Sequence, residues 1–217
     1  MNLKDQSAIR KEILALRRSL PIATRQQLSH EVTGRLNLSL DVSRLKSKVR
    51  IATYQSLSDE MSLDELNQTW AKAGIDLFFP RVKQDPEKEL EPVLEWIKMP
   101  AESVLDSRSS SWVKGSLGAF EPSARFKAEV TPQFDLILVP GVAFSRVGER
   151  IGRGKGFYDR CLTQWPLALR LSLAYEFQMV SSLPQNAWDQ AIHWVVTEKS
   201  EVRTEFLEKW FEIWLKS

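Results

Sequence analysis

The stretch FDLILVPG, residues 134–141, constrains the fold of this 217-residue chain more than any other. It is a continuous apolar run and not an alternating one, so both of its faces must be covered by protein. Pro-Gly ends the run and predicts a turn directly after it. Such a strand is typical of the centre of a parallel sheet that has helices on both faces.

Helices and further strands alternate along the chain, as a parallel sheet requires. Apolar residues recur at helical spacing from Ile9 to Leu20, and Pro21 ends this helix. Thr24 is the expected cap of a second helix that reaches about Leu36. The remaining predicted elements are, in chain order, a strand over 49–54, a helix over 61–74 with Ser62 and Glu65 in capping-box spacing, a strand over 75–82 ended by Pro80, a short edge strand over 91–99, a helix from Phe157 to Gln164, strands over 169–175 and 192–198, and an amphipathic helix over 204–216.

These elements predict a single α/β domain over residues 1–217, with a central, mostly parallel sheet and helices on each face. The three layers make a Rossmann-like architecture. Residues 100–134 are rich in Ser, Gly and Pro and predict an irregular surface excursion, long enough to fold over a site. In such folds ligands bind beyond the carboxyl ends of the strands, which places the site near the segment after Val139.

Composition and charge exclude several classes of protein. Hydrophobic residues make up 43% and charged residues 27% of the chain, a balance that indicates a globular domain. The net charge of +2 is too small to imply a nucleic-acid binder by itself, so a basic site must be a local concentration of charge. No apolar run approaches the ~20 residues of a membrane span, and the N-terminus lacks the apolar core of a signal peptide. With its one Cys, the sequence predicts a cytoplasmic protein.

The segment GRGKGFYDR, residues 152–160, is the strongest candidate site. Alternating glycines can turn backbone N–H groups inward because they tolerate positive φ, and Arg153 and Lys155 add positive charge. A helix from Phe157 would point its positive end at the same place. The pattern predicts phosphate binding; a flexible surface turn with solvated charges is the alternative.

Two established phosphate loops do not fit these residues. The P-loop needs a glycine five residues before Gly154, where Glu149 stands, and a hydroxyl residue where Gly156 stands. The dinucleotide fingerprint needs G-x-G-x-x-G after a strand. This segment reads G-x-G-x-G and has no predicted strand directly before it, so it indicates another kind of phosphate site.

The longer stretch FDLILVPGVAFSRVGERIGRGKGFYDRCL, residues 134–162, closely resembles the signature of the 5-formyltetrahydrofolate cyclo-ligases, also called 5,10-methenyltetrahydrofolate synthetases. It combines a hydrophobic strand, Pro-Gly, an apolar-aromatic pair, a hairpin-like G-x-R, and G-R-G-K-G followed by two aromatics and Asp. Shorter resemblances are IRKEILALRR, SDE, FPRV, GAFEP and WVVTEK. The similarity therefore spans nearly the whole chain.

The resemblance implies ATP-dependent closure of 5-formyltetrahydrofolate to 5,10-methenyltetrahydrofolate, with release of ADP and phosphate and with Mg²⁺ bound. It assigns catalytic roles to Lys155, Arg153 and Tyr158. The implied ATP contacts are Arg10, Gly152, Arg153, Gly154, Lys155, Gly156, Phe157, Tyr158 and Asp159. The implied folate contacts are Gln55, Glu60, Arg81 and Tyr158, and the implied magnesium ligands are Asp159 and Asp189.

Several of these residues have an ordinary structural interpretation as well. Arg10 suits a solvated helix cation, and Glu60 in SDEMS suits the approach to a helix. Arg81, just past a strand end, suits a surface charge. Asp189 precedes a strand, where Asp is a common turn residue. Tyr158 could stack on a ligand or donate a hydrogen bond.

Two positions depart from the family pattern. Gln6 stands four residues before Arg10, where the family usually has Lys, and Lys4 lies two residues further away; ATP affinity is what this departure puts in question. Trp188 stands where the family often has His, before Asp189. Two other functions stay open: folate or nucleotide binding without turnover, and an activity like that of sugar-phosphate isomerases or acyl-CoA transferases, which a similar α/β architecture permits.

The expected partner is a small-molecule substrate, 5-formyltetrahydrofolate with or without a polyglutamate chain, and neither nucleic acid nor membrane. We expect a monomer. His30 and His193 have no partner at metal-ligand spacing, so packing or surface roles are expected. Cys161, one turn into a predicted helix, suits a buried small hydrophobe better than a nucleophile.

Overall fold

The computed structural model describes residues 3–40, 49–83, 93–205 and 207. The helices in these ranges are α1 (Leu3–Ser19), α2 (Ile22–Ser39), α3 (Asp64–Lys72), α4 (Ala101–Leu105) and α5 (Phe157–Leu162). The strands are β1 (Arg50–Ala52), β2 (Asp76–Lys83), β3 (Val93–Lys98), β4 (Trp112–Lys114), β5 (Phe120–Pro122), β6 (Leu136–Leu138), β7 (Ala143–Ser145), β8 (Arg150–Ile151), β9 (Leu169–Leu173), β10 (Met179–Val180), β11 (Trp194–Val196) and β12 (Glu201–Arg203). Among the described helices, none combines the length and the apolar character needed to cross a membrane.

Seven of these strands form the main sheet, in the order β12-β11-β9-β6-β1-β2-β3. The inner pairs are parallel, and the two edge strands β3 and β12 pair antiparallel with their neighbours. Strand β6 is the fourth of the seven and is buried along its whole length. The predicted α/β class, with FDLILVPG at the centre of a mostly parallel sheet, is confirmed.

Alternate residues of the central strands belong to two separate cores, one on each face of the sheet. Leu136 and Leu138 pack into the core that also contains residues of α2 and α3. Ile137, between them, packs into the opposite core with Leu162 of α5. The apolar run is continuous because helices cover both faces, which leaves no position of β6 in water.

A small second sheet, in the order β10-β7-β8, carries the glycine loop. Helix α1 packs against it, with Ile13 in a cluster that contains Val142, Ala143 and Ile151. Strand β8 leads directly into the loop at Gly152, so the prediction that no strand precedes the loop was wrong. The strand has only two residues, which is too short for an alternating or apolar pattern to reveal.

Pro80 does not end the second strand, contrary to the sequence prediction. Strand β2 continues to Lys83, and Pro80 pairs with Trp96 of β3. The N–H of Met99 donates to Leu77 O. The backbone N–H and C=O groups of the odd-numbered β2 residues therefore face β3, and the backbone groups of Pro80 face the opposite side. On that side β1 has already ended, at the pair of Ala52 and Phe78. The missing N–H of Pro80 therefore removes no bond from the sheet.

Other boundaries differ in smaller ways. Helix α2 begins at Ile22, with Pro21 and not Thr24 at its N-cap, because proline suits a helix start. The N-cap of α3 is Leu63, without a side-chain cap. The excursion over 100–134 contains α4 and the β4–β5 hairpin, and β12 was not predicted. The predicted helix over 204–216 lies almost wholly outside the described residues.

Candidate active site

A cavity of about 530 Å³ lies at the carboxyl ends of β1, β2 and β6. Its volume is within the range of small-molecule sites, and its position follows the rule for open α/β sheets. The walls come from α1, from the segments after β1 and β6, from the glycine loop and from the β4–β5 hairpin. Of the predicted site residues, the cavity brings together Arg10, Gln55, Glu60, the whole of Gly152–Asp159, and Asp189.

The glycine loop follows β8 and has left-handed backbone at two positions. Gly154 has φ +90° and Gly156 has φ +65°, values that strain any residue with a Cβ. Arg10 Nε donates to Gly152 O at 2.9 Å, which fixes the start of the loop to α1. Lys155 is exposed on the loop and faces the cavity. The loop is thus anchored at one end and leaves its charged side chains accessible.

Arg150 is a cavity residue whose role was not predicted from the sequence. Its side chain is 4% exposed, and Nη2 lies 2.5 Å from Asp159 Oδ1. Nη1 donates to Pro140 O, which ties the end of β6 to the same carboxylate. The quoted G-x-R pattern contained this arginine, but nothing in a two-residue strand indicated that its side chain turns inward.

Two aspartates, Asp159 and Asp189, line the same cavity. The described hydrogen bonds of Asp159 use Oδ1, which contacts Arg150 and, at 3.5 Å, the N–H of Gln190. Asp189 Oδ2 accepts from Asn186 N at 2.7 Å and from Asn186 Nδ2 at 3.3 Å. Within the described ranges no three His, Cys, Asp or Glu side chains gather into a metal cluster. This donor set suits a cation that also binds a polyphosphate, because Mg²⁺ at nucleotide sites uses one or two carboxylates and phosphate oxygens.

Two acids after β1 meet two arginines, and we call Arg17, Asp59, Glu60 and Arg153 the acid–arginine cluster. Of these four residues, Glu60 and Arg153 line the cavity. Arg153 Nη2 lies 2.8 Å from Asp59 Oδ1, and Arg153 Nε lies 3.3 Å from Glu60 Oε1. Arg17 Nη2 lies 3.4 Å from Asp59 Oδ2 and 3.4 Å from Glu60 Oε1. The glycine loop and the acid predicted to bind folate are therefore in direct contact.

Arg17 and Asp59 were not predicted as site residues. Arg17 lies among several basic residues of α1, and the sequence does not show that its side chain is 1% exposed while others are in water. Asp59 is part of the SDE motif, where only Glu60 was singled out. Both residues lie in stretches that resemble the family, SDE for Asp59 and IRKEILALRR for Arg17, but neither stretch shows which of its charged side chains is buried.

Two tyrosines give the cavity neutral hydroxyl groups. Burial raises the pKa of Tyr158 well above its ordinary value, and nearby Cys161, Tyr54 and Glu60 raise it further. Burial also raises the pKa of Tyr54, which lines the cavity and was not predicted. Trp96 contacts Tyr158 edge-on, with ring centroids 6.4 Å apart. Both phenols are protonated at neutral pH and can donate hydrogen bonds to a ligand.

An apolar wall faces the glycine loop. Leu117 and Phe120 of the hairpin line the cavity, and Phe120 is 53% exposed. Glu121, next to Phe120, is buried, and its Oε2 accepts from Val82 N at 3.2 Å. Burial raises the pKa of Glu121. The excursion thus packs against β2 and supplies one side of the cavity.

Arg81 stands apart from the other predicted site residues, because the cavity lining does not include it. Its guanidinium pairs with Glu95 at 2.5 Å and donates to the carbonyl oxygens of Ser123 and Phe126. The arginine therefore holds the excursion against the sheet edge. The folate contact of Arg81 stays a prediction.

The two positions that depart from the family pattern both line the cavity. Gln6 Nε2 donates to Pro184 O at 2.9 Å. Trp188 is 68% exposed at the rim, next to Asp189. Neither departure removes an anchor of the glycine loop.

The surroundings of the two histidines and the cysteine indicate structural roles. His30 is exposed and pairs with Glu65, whose hydrogen bond raises its pKa. Burial lowers the pKa of His193 to about 3, and its Nδ1 accepts from Arg170 N. Burial raises the pKa of Cys161 to about 12, so its thiol is protonated at neutral pH.

Comparisons with known proteins agree with the resemblance. The model of the 5-formyltetrahydrofolate cyclo-ligase family matches residues 2–198. The 5-formyltetrahydrofolate cyclo-ligase of Mycolicibacterium smegmatis is 29% identical over 202 residues, which cover 92% of this chain and 96% of that protein. The enzyme of the same name from Haemophilus influenzae is 28% identical over 193 residues, covering 87% of this chain and 95% of that protein.

A solved structure extends the agreement to the fold. The 5,10-methenyltetrahydrofolate synthetase of Aquifex aeolicus matches with a TM-score of 0.71 at 30% identity, covering 92% of this chain and 93% of that chain. The family model and this structural match both span most of the chain. The chain belongs to the 5-formyltetrahydrofolate cyclo-ligase family.

Proposed function

We propose that this chain catalyses the ATP-dependent cyclisation of 5-formyltetrahydrofolate to 5,10-methenyltetrahydrofolate, with release of ADP and phosphate. The observation that supports it most is one cavity that holds a basic glycine loop, two aspartates, an acid suited to a pterin and two neutral tyrosines. These are the groups that a phosphoryl transfer to a folate needs, and family membership supplies the reaction.

The chemistry has two steps. The oxygen of the formyl group that N5 carries attacks the γ-phosphorus of ATP, and ADP leaves with the bridging oxygen. The folate N10 then attacks the formyl carbon, the phosphate leaves with the former formyl oxygen, and N10 loses its proton. Phosphorylation is needed because the oxygen of a formamide is a poor leaving group. Positioning of the two substrates and neutralisation of charge supply most of the rate of such a transfer.

The glycine loop and α1 are proposed to hold the phosphates. The side chains of Arg153 and Lys155 would neutralise charge that develops on the transferred phosphoryl group. Arg10 is proposed to contact phosphate as well, and its bond to Gly152 O keeps the loop in reach. Backbone N–H groups of Gly152–Gly156, with Phe157 beside them, would complete the cradle.

The folate is proposed to occupy the end of the cavity next to β1 and the hairpin. Glu60 would accept N–H donors of the pterin ring, and Gln55 lies beside it in the lining. Tyr158 would donate its hydroxyl hydrogen to the formyl oxygen or its phosphorylated form, because burial keeps the phenol protonated. The apolar wall of Leu117 and Phe120 suits the aromatic part of a folate.

Asp159 and Asp189 are proposed to hold Mg²⁺ together with the phosphates of ATP. Bound there, Mg²⁺ would neutralise phosphate charge and orient the γ-phosphoryl group. Arg150 fixes Asp159 through Oδ1, and Asn186 fixes Asp189 through Oδ2. Each carboxylate is thus oriented by a protein donor.

Four further properties are proposals. We propose that the chain folds as one domain, acts as a monomer, works in the cytoplasm and accepts folates with or without polyglutamate chains.

The near-ultraviolet absorbance of 5,10-methenyltetrahydrofolate tests the function. Purified protein is mixed with 5-formyltetrahydrofolate and Mg-ATP, and parallel reactions omit ATP or replace it with ADP. Growth of the absorbance only with ATP supports the cyclo-ligase. A flat trace from folded protein that binds both ligands would support binding without turnover, and a flat trace without folate binding would point to a different enzyme class.

A further inference from the structure

The acid–arginine cluster connects the proposed nucleotide end of the cavity to the proposed folate end. Arg153 belongs to the glycine loop, whereas Asp59 and Glu60 belong to the segment after β1. In the structure the guanidinium of Arg153 contacts both carboxylates, at 2.8 Å and 3.3 Å. The group proposed to bind phosphate and the group proposed to bind pterin are therefore each other's partners in this structure.

The side chains of the two arginines in the cluster differ in how firmly the protein holds them. Arg17 is 1% exposed, and its Nε and Nη1 donate to the carbonyl oxygens of Asp59 and Gly141. Arg153 is 35% exposed and lies between two glycines of the loop. Arg17 is fixed by the backbone, while Arg153 can change partner at little cost because its neighbours tolerate many conformations.

We propose that Arg153 leaves Asp59 and Glu60 when either substrate binds, so that ATP and 5-formyltetrahydrofolate each raise the affinity for the other. This inference rests on the proposed function. ATP would take Arg153 because a triphosphate offers more charge than two carboxylates and suits the fork of a guanidinium. Folate would take Glu60, whose Oε1 lies 3.3 Å from Arg153 Nε.

The sign of the coupling follows from the shared ion pairs. Whichever substrate binds first breaks the contacts of Arg153 with the acids, and the second substrate binds without that cost. Arg17 stays within 3.4 Å of both carboxylates, so the acids keep a positive partner after Arg153 leaves. Asp59 and Arg17 thereby act as positioning residues for the two substrate groups.

The size of the coupling follows from exposure. Because Arg153 is partly in water, its ion pairs are weak, and the effect belongs at the low end of the range seen for coupled sites. We expect about a fivefold change in the dissociation constant of each ligand.

Isothermal titration calorimetry on the full chain measures this coupling. The dissociation constant of 5-formyltetrahydrofolate is determined with and without a saturating, non-hydrolysable ATP analogue and Mg²⁺. The coupling ratio is the dissociation constant without the other ligand divided by that with it. The reciprocal titration, in which the analogue is titrated with and without the folate, must give the same ratio.

Arg153→Gln and Lys155→Gln form a matched pair of variants. Both remove one positive charge from the same loop, but of these two side chains Arg153 is the one with a described contact to the acids. In Arg153→Gln we expect the ratio to fall to about one, and folate without nucleotide to bind about fivefold more tightly than to the wild type. In Lys155→Gln the nucleotide affinity falls, but the ratio and the folate affinity without nucleotide stay at wild-type values.

Asp59→Asn provides a second test from the acid side. The substitution keeps the size of the side chain and removes the charge that Arg153 contacts at 2.8 Å, so the ratio is expected to fall below the wild-type value. Because Asp59 also lies near Arg17, the thermal unfolding of the Asp59→Asn protein is compared with that of the wild type. Arg153→Gln, on an exposed loop, decides the matter if Asp59→Asn is unstable.

Each outcome has a distinct meaning. A wild-type ratio of one, or a ratio that Arg153→Gln retains, overturns the coupling while both ligands still bind, and the proposed function then stands. Retention would mean that the coupling does not run through Arg153 but through another contact, such as that between the formyl group and the γ-phosphate. Loss of coupling in Lys155→Gln as well would also contradict the role of Arg153. Failure of either ligand to bind the wild type contradicts the proposed function and this inference with it.

Discussion

Three arginine side chains have very different surroundings in this protein. Arg17 and Arg150 are buried against carboxylates, whereas Arg153 is partly exposed on the glycine loop. A buried arginine paired with acids orients them, and an exposed one can move to a ligand. Residue type alone predicted a basic site, and burial separated the arginines that build it from those that are free to act.

Lys155→Ala is expected to reduce kcat/KM of the cyclisation by about 10²–10³, because the substitution removes charge stabilisation from the phosphoryl transfer. The free energy of unfolding should change by less than about 0.5 kcal/mol, since the side chain is exposed. Initial rates and urea denaturation measure the two quantities. Lys11→Ala, exposed on α1 and outside the cavity lining, is the control. Near-normal turnover in a folded Lys155→Ala protein would contradict the proposed role.

Asp159→Asn is expected to raise the Mg²⁺ concentration needed for half-maximal activity, because an amide oxygen is a weaker ligand for a hard cation than a carboxylate. The measurement is a Mg²⁺ titration of activity at fixed ATP. Asp106→Asn, on the exposed part of the excursion, serves as the control. An unchanged titration curve would remove Asp159 from the proposed metal site.

The β4–β5 hairpin shows what a sequence-irregular element contributes. Its composition predicted only a surface excursion, and the structure gives it two anchors. Glu121 accepts from Val82 N, and Arg81 donates to the carbonyl oxygens of Ser123 and Phe126. These bonds hold the exposed ring of Phe120 against the cavity, so the hairpin forms part of the site.

Phe120→Ser is expected to raise KM for 5-formyltetrahydrofolate about tenfold, since it removes apolar contact area with the proposed folate. KM for ATP should stay within twofold of the wild-type value. Val113→Ser is the matched control, because Val113 is 46% exposed on the same hairpin and does not line the cavity. Steady-state kinetics with each substrate varied in turn decide the point; equal effects of the two variants would mean that Phe120 has no specific folate contact.

At the scale of the whole molecule, the main sheet and the small sheet together position the segments that form the cavity. Helix α1 and the glycine loop lie far apart in the sequence and are held together by the small sheet and the bond from Arg10 to Gly152 O. Both faces of the main sheet are covered by apolar cores. The site therefore depends on the integrity of the complete fold.

The proposal of a single domain predicts one cooperative unfolding transition. In urea, far-ultraviolet circular dichroism and tryptophan fluorescence should give coincident curves, because the described cores share the strands of one sheet. A saturating, non-hydrolysable ATP analogue should shift the single midpoint upward. Two separate transitions would contradict the single-domain proposal.

Acid should destabilise the protein partly through His193. Burial lowers its pKa from 6.5 in the unfolded chain to about 3 in the folded one. Its contribution to stability is complete above pH 6.5 and is lost as the pH falls, because the unfolded state then binds a proton that the folded state does not. The slope is up to about 1.4 kcal/mol per pH unit. His193→Gln should flatten the dependence of the free energy of unfolding between pH 6 and 4, and an unchanged slope would contradict this account.

The residue pattern by itself determined the fold class, the family and most of the candidate site. The apolar run at β6 required cover on both faces, and the glycine loop required an anion-binding or turn role, because these are local consequences of side-chain chemistry. Neither depends on distant contacts, so both can be read from short segments. The roles of the site residues stay predictions until they are measured.

Only the tertiary structure decided which polar side chains share the cavity. Arg81 lies outside the cavity lining and holds the excursion, so its folate contact stays a prediction. The sequence did not predict Tyr54 and Arg150 of the lining, nor Arg17 and Asp59, which pair with the lining residues Glu60 and Arg153. Pro80 does not end β2, because the side of β2 that it faces lacks a partner strand there, and the sequence does not show this. The physical reason is common to these cases. Burial and pairing depend on residues far away in the chain, and a single sequence carries no local sign of them.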